Sequence, residues 1–447
     1  MKLFNRISTA FAVLFIALTL SQSVSANPKS NWPQWRGPEG QGVSPETGLP
    51  VEWTNTQNVK WKTPIKGRGH SSPIVWNKRI FLTTALDGEA IPGRKAGVTH
   101  KLLDGTDFVH PDAVGADLKH TFKVICIDRS SGKILWERTA YEGPVHDSRH
   151  KKASFASSTP ATDGKYVFAF FGSEGLYAYD YKGKLLWKQD LGKLGTASVG
   201  YGVSPILYGN LVIMQCDESG GNSFMVAFDK KTGKEAWRTP RKVDVTWSTP
   251  VLVHSGKQTE IVAAAAEAII AYDPLTGKEL WRHKGLESNA VPTPVVSHDL
   301  VVVTSGYPAK IALALRAGGR GDITGTPHLV WSYNKGTAYV PSPIAYGDYI
   351  YLMTGNGSIT CLDAKTGKMV YEGARVPKST MFMASPVAFE GKILLTSEAG
   401  DTFVLKAGPQ HEVLRTNSLG EPVYASPAIA DGNIFIRGEQ HLYAIGK

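Results

Sequence analysis

Cysteine is nearly absent. The chain of 447 residues has three, Cys126, Cys216 and Cys361, too few for a disulfide framework. Long apolar runs are missing as well. The longest apolar-rich stretch, Phe11 to Leu20, is about half of the roughly 20 residues a membrane-spanning helix needs, so no transmembrane segment is expected. Blocks of one charge do not occur either. Lys and Arg number 49 against 39 Asp and Glu, a formal net charge of +10, but the excess forms no basic stripe of the kind that binds nucleic acid. There is no serine nucleophile elbow, no zinc-protease helix and no assignable acid pair. These absences exclude most enzymes that announce themselves by one motif, and they leave the fold to an apolar core.

What the N-terminus has is Lys2, Arg6, the apolar stretch and the small residues Val24-Ser25-Ala26, the pattern of a secretory signal cleaved near Ala26. Residues 1–26 are read as signal peptide, 27–58 as a leader and 59–447 as the folded unit. No cysteine follows the cleavage point to carry a lipid. A monomer in the periplasm or the secreted fraction is expected.

The abundant feature is a repeat. A hydroxyl residue followed by proline occurs at Ser72-Pro73, Thr159-Pro160, Ser204-Pro205, Thr249-Pro250, Thr293-Pro294, Ser342-Pro343, Ser385-Pro386 and Ser426-Pro427. After a first interval of 87, successive prolines lie 41 to 49 residues apart, the period of a four-stranded propeller blade. A second phrase recurs with it, as in "AYDPLTGKELW" from Ala271 to Trp281. Its aspartate suits a turn that bonds its own backbone, and its glycine suits the positive φ of a short hairpin loop. Past that glycine stands a large ring: Trp136, Trp187, Trp237 and Trp281, then Trp331 after a longer turn, with Tyr371 in a later copy. Such rings are expected to fill the seams between blades, each burying on the order of 150 to 250 Å².

The last copy, "HLYAIGK", ends one strand short, while "VKWKTPI" from Val59 supplies a spare outer strand with Trp61 at the packing place. The expected fold is all-β: an eight-bladed β-propeller of four-stranded blades, closed by pairing the N-terminal and C-terminal strands so that no sheet edge stays open. An insertion at about 87–118 belongs between the second and third strands of the first blade.

The repeat phrase covers nearly all of Val59 to Lys447 and resembles the PQQ-like (pyrroloquinoline-quinone-like) β-propeller repeat proteins. The leader "NWPQWRGPEGQGVS" is similar to that of exported members related to the outer-membrane assembly propeller BamB. The resemblance implies the fold. It leaves two functions open, because this repeat serves both quinone-dependent dehydrogenases and propellers with no cofactor. A dehydrogenase implies PQQ over a calcium ion, between adjacent cysteines and a tryptophan floor. Here no two cysteines are adjacent, and no calcium-binding set or catalytic aspartate is assignable, although Trp247 could imitate the floor.

Function must then be sought where the copies differ. Just before each proline pair stand His70, Ser157, Tyr201, Trp247, Val291, Tyr339, Phe382 and Tyr424. Of these His70, Tyr201, Trp247, Tyr339, Phe382 and Tyr424 are the candidates to ring the channel mouth and hold a flat ligand or a partner's peptide; the alternative is that they pack against one another. The insertion carries His100 and His110, with His120, His146 and His150 following, but their spacing matches no metal site and no metal is expected. "CDESGGN" from Cys216 has too few oxygen ligands in register for calcium, and "RGD" at Arg320 is a three-residue match. The expected function is an exported, non-catalytic scaffold binding a protein or polymer of the cell envelope. A PQQ-dependent oxidoreductase with the quinone at the channel mouth is the alternative, and carbohydrate binding is a third reading.

Overall fold

The computed structural model describes residues 31–447 apart from 103 and 257, so the proposed signal peptide at 1–26 lies outside the described residues. Eight four-stranded antiparallel units follow one another along the chain as the blades of a β-propeller. In blade 3, Ile206–Tyr208, Leu211–Cys216, Phe224–Asp229 and Glu235–Pro240 run from the channel outward in sequence order. Middle strands are apolar on both faces because a blade lies on either side; Leu300–Ser305 of blade 5 is buried throughout. Blade 8 takes three strands from the C-terminus and its outer strand, Val59–Pro64, from the leader's end. That strand pairs with His441–Ile445, Trp61 opposite Ala444 and Lys62 opposite Tyr443, which closes the ring as the spare strand predicts.

The repeated phrase resolves into a contact between blades. Asp229 Oδ1 accepts the N–H groups of Lys231 and Thr232 at 3.1 and 2.8 Å, and the turn leaves Gly233 at φ 72°. The ring of Trp187, from the outer strand of the preceding blade, lies 2.7 Å from where a Cβ on Gly233 would stand. Its indole N–H donates to Lys230 O at 3.0 Å. The same seat joins Trp61 to Gly132 and Arg129 O, Trp237 to Gly277 and Pro274 O, and Trp331 to Gly367 and Ala364 O. Trp136 covers Gly183 with its ring. Tyr371 meets His411 edge-on at 5.8 Å.

Trp281 departs from the pattern because blade 5 has a longer segment in place of the turn. Its indole donates instead to the buried Glu260 carboxylate at 2.9 Å. The longer segment lays Gly321–Asp322 parallel to the outer strand Glu279–Lys284, so the RGD tripeptide covers a sheet edge. The described residues of the insertion in blade 1 form short pairings of their own. The second strand continues to Ala90, the third starts at Leu118, and two short pairings sit between and beside them, His100–Lys101 with Asp107–Phe108 and Ala113–Val114 with Arg149–His150.

The leader is not a separate appendage. Trp32 exchanges backbone hydrogen bonds with Val75 of blade 1, and Pro33 O accepts the Thr162 N–H of blade 2. Gln41 reaches Val296 of blade 5, Arg36 reaches Pro343 O of blade 6, and Val43–Ser44 pairs in parallel with the inner strand of blade 7. A segment that touches inner strands on opposite sides of the ring must lie across the channel, so the leader stoppers it. The chain then passes outward, where Trp53 N–H donates to Asn417 of the blade 7 outer strand at 3.0 Å, and becomes the closing strand.

Candidate functional site

Alternation along each inner segment decides which side chains face the channel. The residues three places before the prolines are His70, Ser157, Gly202, Trp247, Val291, Val340, Met383 and Tyr424, and all eight line one cavity. Below them the wall is made by the hydroxyl residues one place before, Ser204, Thr249, Thr293, Ser342, Ser385 and Ser426. Trp35 of the leader is the floor. The result is a blind funnel of about 140 Å³.

The hydroxyls of the wall are already engaged. The backbone N–H of Ser72 donates to Thr159 Oγ1, Thr159 to Ser204, Ser204 to Thr249, Thr293 to Ser342, Ser342 to Ser385 and Ser385 to Ser426, all at 2.8 to 3.0 Å. Each bond ties one blade to the next and contributes about 0.5–1.5 kcal/mol. This belt is the physical content of the hydroxyl-proline marker. At blade 5 the Thr293 hydroxyl receives the Trp35 indole N–H instead, at 2.9 Å, so the floor is fastened to the wall.

Three of the six expected mouth residues line the funnel: His70, Trp247 and Tyr424. Tyr201, Tyr339 and Phe382 do not, and the expectation is corrected for them. They stand four places before their prolines, so the same alternation turns them out of the channel. Tyr201 lies over Gly172 with its hydroxyl 2.7 Å from Ser173 Oγ. Phe382 is buried against Phe403, ring centroids 6.1 Å apart. Tyr339 faces a separate groove. Gly202, Val340 and Met383, one place later, take the channel positions and were missed, as was Trp35.

The rim is held neutral. His70 stacks on Tyr424 at 4.6 Å, and burial together with the guanidiniums of Arg437, Arg68 and Arg149 keeps its imidazole well below the usual range. The Trp247 indole donates to Gly200 O at 2.9 Å, which fixes the ring at the rim. No carboxylate lines the funnel among the described residues. Its volume is under half of the roughly 300 Å³ at which small-molecule sites begin. A calcium-held quinone does not fit this donor set or this space.

Elsewhere the acidic and histidine clusters have structural work. Asp217 of the "CDESGGN" loop is fully buried and bonds Arg241 at 2.7 Å, with Thr246 and Gln215 also at 2.7 Å, so a guanidinium occupies the place of a cation. His100 bonds Asp147 at 2.7 Å and holds the insertion to the body. His110, Asp112 and His150 gather their ligand atoms within 4.8 Å of one another. Yet His110 Nδ1 and His150 Nδ1 accept the backbone N–H groups of Asp112 and Lys152, which places the proton of each neutral ring on Nε2 and leaves no lone pair for a metal.

Comparison with known proteins places these features. A family model described as outer membrane protein assembly factor BamB matches residues 221–378. The outer membrane protein assembly factor BamB of Burkholderia pseudomallei (strain K96243) is 31% identical over 111 residues, which cover 24% of this chain and 28% of that relative's length. Among solved structures, BamB from Moraxella catarrhalis superposes with a TM-score of 0.52 at 13% identity, covering 81% of this chain and 100% of that one. Quinohemoprotein alcohol dehydrogenase from Comamonas testosteroni gives a TM-score of 0.60 at 12% identity, covering 95% and 82%. At these identities the structural likeness is one of fold.

Proposed function

Since the chain is a PQQ-like β-propeller repeat protein similar to BamB, we propose that it is a non-catalytic scaffold that grips a protein partner of the cell envelope by its funnel face. The observation that carries the reading is the funnel itself: blind, neutral, rimmed by Trp247, Val291, Val340, Met383 and Tyr424, and of one side chain's size. Interfaces concentrate their binding energy in a few anchors seated in well-packed pockets, and a pocket of this kind is the receiving half of such a pair. The relative from Burkholderia pseudomallei, named as an outer membrane protein assembly factor, supports an envelope partner. Among the described residues no helix is long and apolar enough to cross a membrane.

The test is affinity capture from envelope extract, followed by calorimetry with the purified captured protein. Trp247→Ala should weaken the interaction at least tenfold while lowering the melting temperature by no more than about 4 °C; unchanged affinity would remove the funnel from the interface. The quinone reading separates cleanly. PQQ with calcium should leave the melting temperature where it is, whereas a shift that saturates with added quinone would show a real cofactor site.

A further inference from the structure

The groove that Tyr339 faces is the larger opening. It encloses about 370 Å³ where the loops of blade 5 meet the second hairpin and outer strand of blade 6, and it shares no lining residue with the funnel. That volume falls within the range of about 300–1,000 Å³ typical of ligand sites. Its walls include glycines 306, 336, 355 and 373, so much of the lining is bare backbone. At the edge Tyr307 is 58% exposed, its ring 5.5 Å from that of Tyr339. Two adjacent phenol rings present an apolar surface with polar tips, suited to the mixed faces of a sugar.

The polar groups are strongly biased toward donors. Lys310 and Arg375 line the groove and have no ion-pair partner among the described residues, and Glu372 is the one carboxylate in the lining. Arg375 spends one N–H on Asn356 O at 2.8 Å and keeps the rest of its fork. Asn356 Oδ1 accepts the Thr354 hydroxyl at 2.6 Å, so its amide nitrogen, with two N–H groups, remains for a ligand. With two cations against one carboxylate, the lining favours an occupant that carries negative charge and acceptors.

We infer that this groove binds an acidic oligosaccharide, the uronate carboxylates meeting Lys310 and Arg375 and the sugar faces lying on Tyr307 and Tyr339. An acidic peptide is the weaker occupant on these observations. A peptide adding to the outer strand Met369–Arg375 needs an unbroken row of backbone groups, and that strand is interrupted by Gly373 at φ 75° with register shifts opposite it. Nor does the lining offer the apolar pockets for alternate side chains that such binding uses.

The experiment is titration calorimetry of the full chain with a galacturonic acid tetramer, with maltotetraose as the neutral control and hexaglutamate as the acidic peptide. The expected result is binding of the uronate alone, weakened at least tenfold by Arg375→Gln and by Tyr339→Ala, falling with added salt and unchanged in Trp247→Ala. Melting temperatures establish that each variant folds; if Tyr339→Ala does not, the exposed Lys310→Gln takes its place. No uronate binding at millimolar concentration, equal binding by the variants, or hexaglutamate binding as tightly would each overturn the proposal. Failure of the funnel reading leaves this result untouched, because that reading is tested by Trp247 and this one is not.

Discussion

The seams between the blades and the mouth of the channel are built from the same repeat, yet they treat it in opposite ways. At four of the seams the copies are alike: Trp61, Trp187, Trp237 and Trp331 each lie on the turn glycine of the next blade, and the indole N–H meets the carbonyl beside the turn aspartate. At the mouth the eight equivalent positions hold six different amino-acid types beyond two valines, although each precedes the same hydroxyl-proline pair. Where a residue must fit its neighbouring blade, each copy faces the same constraint. Where it faces the channel, that constraint is lifted, and the differences are available for recognition.

The largest effect that sharpens this contrast comes from two tryptophans. Trp237→Ala removes a seam ring with its hydrogen bond and should cost about 3–5 kcal/mol. Trp247→Ala at the funnel rim should cost about 1 kcal/mol or less, and comparable losses in a denaturant titration would erase the distinction.

Two glycines probe the seam from the other side. Gly277 and Gly256 have similar φ of 70° and 60°, but a Cβ on Gly277 meets the Trp237 ring at 2.4 Å while a Cβ on Gly256 meets nothing within 4 Å. Both alanine variants carry the left-handed strain of about 1–2 kcal/mol. Gly277→Ala should carry a further cost of about 1–3 kcal/mol for overpacking, and equal stabilities of the two would show that the ring does not press on the turn.

A smaller effect concerns a loop of the mouth face. Burial pushes the Glu174 carboxyl up from 4.5 to about 7, while its Oε1 accepts the His146 N–H at 2.8 Å. An acid with a raised folded pKa favours folding when protonated. Its contribution is therefore complete below about pH 4.5 and is lost as pH rises to about 7. The loss should be on the order of 1–3 kcal/mol. Glu174→Gln keeps an acceptor without the charge, so its stability should be flatter over that window and higher than wild type at pH 8. A variant with the wild-type pH dependence would assign the trend to other groups.

The same contrast explains what was legible in the sequence. The fold could be read because the seam phrase repeats, and the closure because an orphan strand at Val59 matched a missing one after Tyr443. The mouth was half legible. Looking for aromatic residues near each proline found His70, Trp247 and Tyr424, but it also gathered Tyr201, Tyr339 and Phe382, which a one-residue change of register turns away. Counting three places back from every proline would have given the lining. Trp35 carried no such signal, because its place in the funnel depends on the leader lying across the channel, a contact with inner strands hundreds of residues distant.

Neighbours in sequence offer the most direct test of the central claim, that the position three places before each proline is the binding surface. A photo-reactive phenylalanine analogue at Met383, and separately at Phe382, is irradiated with the partner captured by the wild-type chain, and the products are mapped by mass spectrometry. The account predicts a covalent adduct to the partner from position 383 and adducts within the chain, near Phe403, from position 382. Partner adducts from 382 with none from 383 would contradict it.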